Sequence, residues 1–109
     1  MDMLRNVLRD IGIRPNLSGY HAIVRCMALL TEREVREKPN MRDLCSEVAQ
    51  SCGCTGEALY KNMQYAIRTA WNYGGKEAFF EVAQCRPTTC PTVGDFLEML
   101  LDYLKPGPF

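Results

Sequence analysis

Residues 52–71 read CGCTGEALYKNMQYAIRTAW. Cys52 and Cys54 flank a glycine, and Thr55 stands where a threonine oxygen can cap the first free amides of a helix. Beyond it Leu59, Met63, Ala66, Ile67 and Ala70 recur at threes and fours, the spacing of one buried helical face. The pattern predicts a helix over about 55–73, entered through a tight corner at Gly53.

Upstream of the corner, Asn40 is a good N-cap with Asp43 three residues on, and it opens a helix over about 41–52. Met41, Leu44 and Val48 face inward there, with Cys45 as a further candidate. Two helices joined by a glycine corner make a helix-turn-helix, whose steep crossing needs a small residue at the contact and apolar residues in the wedge. Ala49 supplies the first, and Val48, Cys52, Cys54 and Leu59 are expected to supply the second.

The rest of the chain reads as further helices. Asp2 can cap a first one carrying Leu4, Val7, Leu8 and Ile11 on one face, closed by Gly12, Pro15 and Asn16. A second follows Ser18, with Tyr20, Ile23, Val24, Met27 and Leu30 inward. TEREVREKPN, residues 31–40, is expected to be a frayed helix end and connector, with EREVREK a solvated surface of both charge signs. Gly74-Gly75 ends the long helix, a short one surrounds Phe79, Phe80 and Val82, and the CRPTTCP loop precedes a last helix capped by Thr92. That helix carries Asp95 behind its cap and turns Phe96, Leu97, Leu100 and Leu104 inward. No alternating β-pattern occurs, so the fold class is all-α. A single domain of about six helices spans 1–105, and 106–109 form a flexible tail.

The bulk composition restricts the function. A chain of 109 residues with 47% hydrophobic residues is one domain with one core. It has no apolar run that could span a membrane and no signal-peptide pattern, so a cytoplasmic location is expected, with its six cysteines reduced. Thirteen basic and thirteen acidic residues give zero formal net charge, so attraction to nucleic acid has to come from a local patch. No phosphate cradle, nucleophile elbow or H-E-x-x-H is present, and the single histidine, His21, has no catalytic companions in the sequence. No enzymatic role, cofactor or metal is expected.

A step of about 100° per residue puts Glu57, Lys61, Gln64, Tyr65 and Arg68 opposite the apolar stripe of the 55–73 helix. Lysine can donate to guanine, glutamine can pair with adenine and glutamate can accept from cytosine, while Arg68 and Tyr65 can hold phosphates. The candidate DNA-binding residues are Thr55, Glu57, Ala58, Tyr60, Lys61, Gln64, Tyr65 and Arg68, with Lys76 a further backbone contact. The plain alternative is a solvated helix face.

Three stretches carry a resemblance wider than the motif: IGIRPNLSGY, the helix ending AIRTAWNYGG, and PTVGDF. From Leu4 to Leu104 the chain resembles the C-terminal DNA-binding domain of the stage-zero sporulation response regulators of endospore-forming bacteria. The resemblance implies a six-helix domain whose third and fourth helices form the helix-turn-helix, and a double-stranded DNA partner bound as a homodimer on tandem half-sites. Where that family carries Arg-Val-Glu-Arg in the first turns of the recognition helix, this chain has Ala58-Leu59-Tyr60-Lys61, so a changed target box is expected. The CRPTTCP loop also looks shorter than its counterpart in the family. If complete as given, the chain has no receiver domain ahead of its first helix, and phosphorylation does not switch it in the family's manner.

Two other functions compete with promoter binding. A free-standing protein-interaction module could keep the fold, lose specific DNA reading and act through a related regulator. A small zinc or redox protein could use Cys52, Cys54, Cys85 and Cys90, although that spacing is unusual for zinc.

Overall fold

The described residues of the computed structural model are 2–35, 37–73, 76–84 and 86–104. They form six helices in chain order: α1 (Asp2–Ile11), α2 (Ser18–Glu32), α3 (Met41–Cys52), α4 (Gly56–Asn72), α5 (Lys76–Ala83) and α6 (Val93–Leu104).

Short-range chemistry sets the helix ends. The Asn40 side chain accepts from the Asp43 amide at 3.1 Å, Thr55 from Ala58 at 3.1 Å and Thr92 from Asp95 at 3.1 Å, so each of these helices has a side-chain N-cap. At the end of α3, Gly53 takes a left-handed conformation (φ 69°), and the Ala49 carbonyl accepts from the amides of Gly53 and Cys54. The end of α1 is built similarly, with the Leu8 carbonyl accepting from Gly12 and from Ile13, and Ile13 turns fully into the core.

α2 starts differently from the sequence expectation. Ser18 is already its first helical residue, and the cap position belongs to Leu17, whose side chain offers no acceptor. Leu17 packs against the core instead, so burial fixes the entry of α2. The expected cap at Asp2, the Gly74-Gly75 break and the tail at 106–109 lie outside the described side chains and residues.

One cluster of apolar residues drawn from all six helices forms the core, and Leu8, Ile23, Met63, Phe79, Phe96 and Leu100 are sealed within it. Trp71 meets Phe79 edge-on at 5.4 Å between ring centres, and Phe79 in turn lies 5.6 Å from Phe96, which ties α4 to α5 and α6. Val24, Met41 and Leu104, all expected inward, are half-buried at the rim.

α4 is the central helix, crossed by α2 on one side and α3 on the other. Both crossings are made at glycines that the motif reading did not single out. A methyl group on Gly19 of α2 would collide with the main chain of Asn62 and lie 2.7 Å from Ala66 Cβ. One on Gly56 would lie 3.2 Å from the Ser46 nitrogen of α3. Ala49 is buried as expected, and α3 also approaches α4 closely at Gly56, one turn before the packing of Leu59.

The connector after α2 is more than solvated surface. The Arg33 guanidinium forks onto both carboxylate oxygens of Glu47 in α3. Val35 packs against the core. Lys38 lies over Gly94 at the start of α6, its ammonium 2.9 Å from Asp95 and its amide donating to Glu98 at 3.1 Å. The helix-turn-helix is thereby tied to α2 at one point and to α6 at another.

Candidate nucleic-acid interface

With α2 and α3 covering two sides of α4, its third side is left to solvent. Ala58, Lys61, Tyr65, Arg68 and Asn72 share that side and are exposed, with Tyr65 at 64%. Glu57 is exposed beside them, and its carboxylate lies 2.9 Å from the Lys61 ammonium one turn on. That hydrogen bond, followed by the lysine charge, holds the Glu57 carboxyl below its usual range. Thr55 is exposed at the helix entrance, where its hydroxyl oxygen is engaged by the Ala58 amide.

Two of the expected residues stand elsewhere. Gln64 is half-buried on the flank facing α3 rather than opposite the apolar stripe, and Tyr60 is half-buried and packed against the core on the same flank. Both line a groove between α3 and α4, floored by Gly56 and Cys45 and rimmed by Arg42 and Lys61. Their displacement follows from the helical turn. The burial of Leu59, Met63, Ala66, Ile67, Ala70 and Trp71 centres the inward face, which leaves positions 60 and 64 about 60–100° to one side of its axis.

Arg42 was not among the sequence candidates. It is exposed on the first turn of α3 and shares the groove with Glu57, Lys61 and Gln64. The available signal was a basic residue two positions after the Asn40 cap, on the first helix of the motif. Lys76, by contrast, stacks its ammonium 5.3 Å from the centre of the Trp71 ring, at the far end of α4. Arg68 stands close enough to the loop before α6 for its charge to oppose the burial that raises the Cys90 thiol pKa.

The corner itself corrects one expectation. Cys54 does not fill the wedge between α3 and α4; it is exposed, and Cys52 is half-buried. The left-handed Gly53 turns the chain outward at position 54, unlike Ile13 after Gly12, and Val48, Cys45 and Leu59 fill the interior instead. Cys26 is the deeply buried thiol: its Sγ–H points to Met63 Sδ at 3.9 Å, and burial pushes its pKa up to about 12, with Cys45 and Cys52 adding to the rise. Among the described residues no three His, Cys, Asp or Glu side chains converge as a metal site requires, and Cys85 lies outside those residues. No described helix is long and apolar enough to cross a membrane.

A glycine-cornered helix pair inside a six-helix core, with the second helix presenting an exposed polar row, defines an all-α helix-turn-helix domain. Residues 4–104 match the family described as "Sporulation initiation factor Spo0A C terminal". The match takes in nearly every residue of the chain, which therefore belongs to that family of DNA-binding domains of sporulation transcription regulators. Among curated proteins none matches the chain.

Proposed function

We propose that this chain is a transcriptional regulator that binds duplex promoter DNA by laying α4 in the major groove. The observation that carries the reading is the single exposed row on α4, held outward by glycine crossings on both flanks. A helix about 10–12 Å across fits a groove about 12 Å wide. Glu57 and Arg68 are separated by about 16 Å along the helix axis, too far for both to read one short set of base edges. Glu57, Ala58 and Lys61 therefore face bases near the start of α4, with Gln64 reaching from the flank. Thr55, Tyr65 and Arg68 hold phosphates, and Arg42 adds a phosphate contact from α3, as the first helix of such motifs does when it crosses the backbone. Tyr60 shapes the groove wall. The chain acts without enzymatic chemistry, in the cytoplasm where the DNA is, and two copies occupy adjacent half-sites.

Fluorescence anisotropy tests this with a duplex carrying the family's box and a scrambled duplex, at low and near-physiological salt. Preference for the box that survives in salt supports base reading by the altered turns. Binding to both that collapses with salt means backbone attraction with a different target, to be found by random-sequence selection. Absence of binding at low salt overturns the proposal.

A second reading, an interaction module acting through a related regulator, is favoured by three features. The net charge is zero, Lys61 is matched by Glu57, and Tyr65 and Tyr73 are 64% and 85% exposed. It replaces the first if no duplex binds.

A further inference from the structure

The Glu57–Lys61 pair sits at the centre of the proposed reading surface, and its chemistry bears on discrimination more than on adhesion. Lys61 is the one basic residue in the first turns of α4, and its ammonium is already engaged by a carboxylate at 2.9 Å. The two side chains are 69% and 77% exposed, so the pair is held weakly and can open.

Resting on the DNA-binding reading above, we propose that Glu57 is a specificity-determining residue, which keeps Lys61 from serving non-specific phosphates and releases it where the groove offers partners for both side chains. On a random duplex, a Lys61 ammonium that turns its donors to a phosphate either gives up its bond to Glu57 or carries the carboxylate toward the phosphates with it. The carboxylate is then left facing a polyanion with no donor to receive it. At a G·C pair the major groove presents guanine N7 and O6 as acceptors and the cytosine N4 amine as a donor. Lys61 can then donate to guanine while Glu57 accepts from cytosine, and both groups are satisfied together. Side chains four apart on a helix stand about 5–6 Å from each other, so the two partners belong to one base pair or to neighbouring pairs about 3.4 Å apart. The ligand chemistry is therefore duplex DNA with a G·C pair under the first turns of α4.

The test compares wild type, Glu57→Gln, Lys61→Gln and the double variant. Their binding to a selected duplex, to that duplex with its central G·C pairs changed to A·T, and to a random-sequence duplex is followed over a salt series. Glu57→Gln is expected to bind the random duplex about three- to tenfold more tightly, with the salt slope steeper by about one, because one more cation is free to displace counterions. Its preference for the selected duplex should fall about tenfold, and the effect should vanish in the Lys61→Gln background. Wild type should lose its preference when the G·C pairs are replaced. If wild type discriminates but Glu57→Gln leaves random-duplex affinity and slope unchanged, or weakens both duplexes alike, this role for Glu57 is overturned while DNA binding stands. If wild type binds no duplex at low salt, both fail together.

Discussion

Gly19 of α2 lies against the main chain of Asn62 in α4, so closely that no β-carbon can stand between them. The contact fixes how deep α4 sits and hence which of its sides is left to solvent. A methyl group at 19 would press on a carbonyl oxygen and on Ala66, neither of which can swing aside. Gly19→Ala is therefore expected to cost about 3 kcal/mol and to lower the melting temperature by about 10 °C or more. Gly56→Ala, with its nearest neighbour at 3.2 Å, should cost clearly less. Calorimetry on both variants checks the order, and equal effects would mean that the α2 crossing is not the tighter one.

Lys38 and Asp95 give a pH signature. The Lys38 hydrogen bond first, and then the Thr92 hydroxyl, hold the Asp95 carboxyl below its usual range, and the same bond raises the Lys38 pKa. A depressed carboxyl contributes stability above its unfolded pKa and loses it as pH falls through the folded value. A raised lysine contributes below its unfolded pKa and loses it as pH rises through the folded value. Wild type should exceed Asp95→Asn in urea midpoint near neutral pH by a small margin, since both side chains are 51% exposed. The gap should narrow as pH falls below about 4 and again as it rises above about 10.5. An unchanged gap at pH 3 would rule out the ion pair as its source.

Arg42 and Arg68 are proposed to meet phosphates from two different helices. Replacing either by alanine should weaken binding to specific and scrambled duplexes about equally and reduce the salt slope by about one. Anisotropy titrations over a salt series read both quantities. A loss confined to one sequence would make the residue a base reader instead.

The cysteines should sort by depth. A maleimide at neutral pH is expected to label Cys54, exposed at the corner, quickly, and to reach Cys26 only on unfolding, because burial both shields that thiol and pushes its pKa up to about 12. Peptide mapping by mass spectrometry after short exposure distinguishes them. Early labelling of Cys26 would show that α2 and α4 separate in the native state.

What the sequence determined by itself is the set of helices and most of their ends. Asn40, Thr55 and Thr92 cap as their positions foretold, Gly53 stops α3, and Leu59, Met63, Ala66, Ile67 and Ala70 are buried as their spacing required. These features depend on groups three to five residues apart, so periodicity and composition carry them directly. Tertiary structure alone decided the rest. It made Gly19 and Gly56 the crossing points in addition to Ala49, turned Cys54 outward, moved Gln64 and Tyr60 to the flank, and brought Arg42 to the rim of the α3–α4 groove. It also joined Lys38 to Glu98, 60 positions away in the chain. Each of these depends on how far one helix is rotated and sunk against another. That is set by the shape of the surfaces that meet, and no local pattern encodes it.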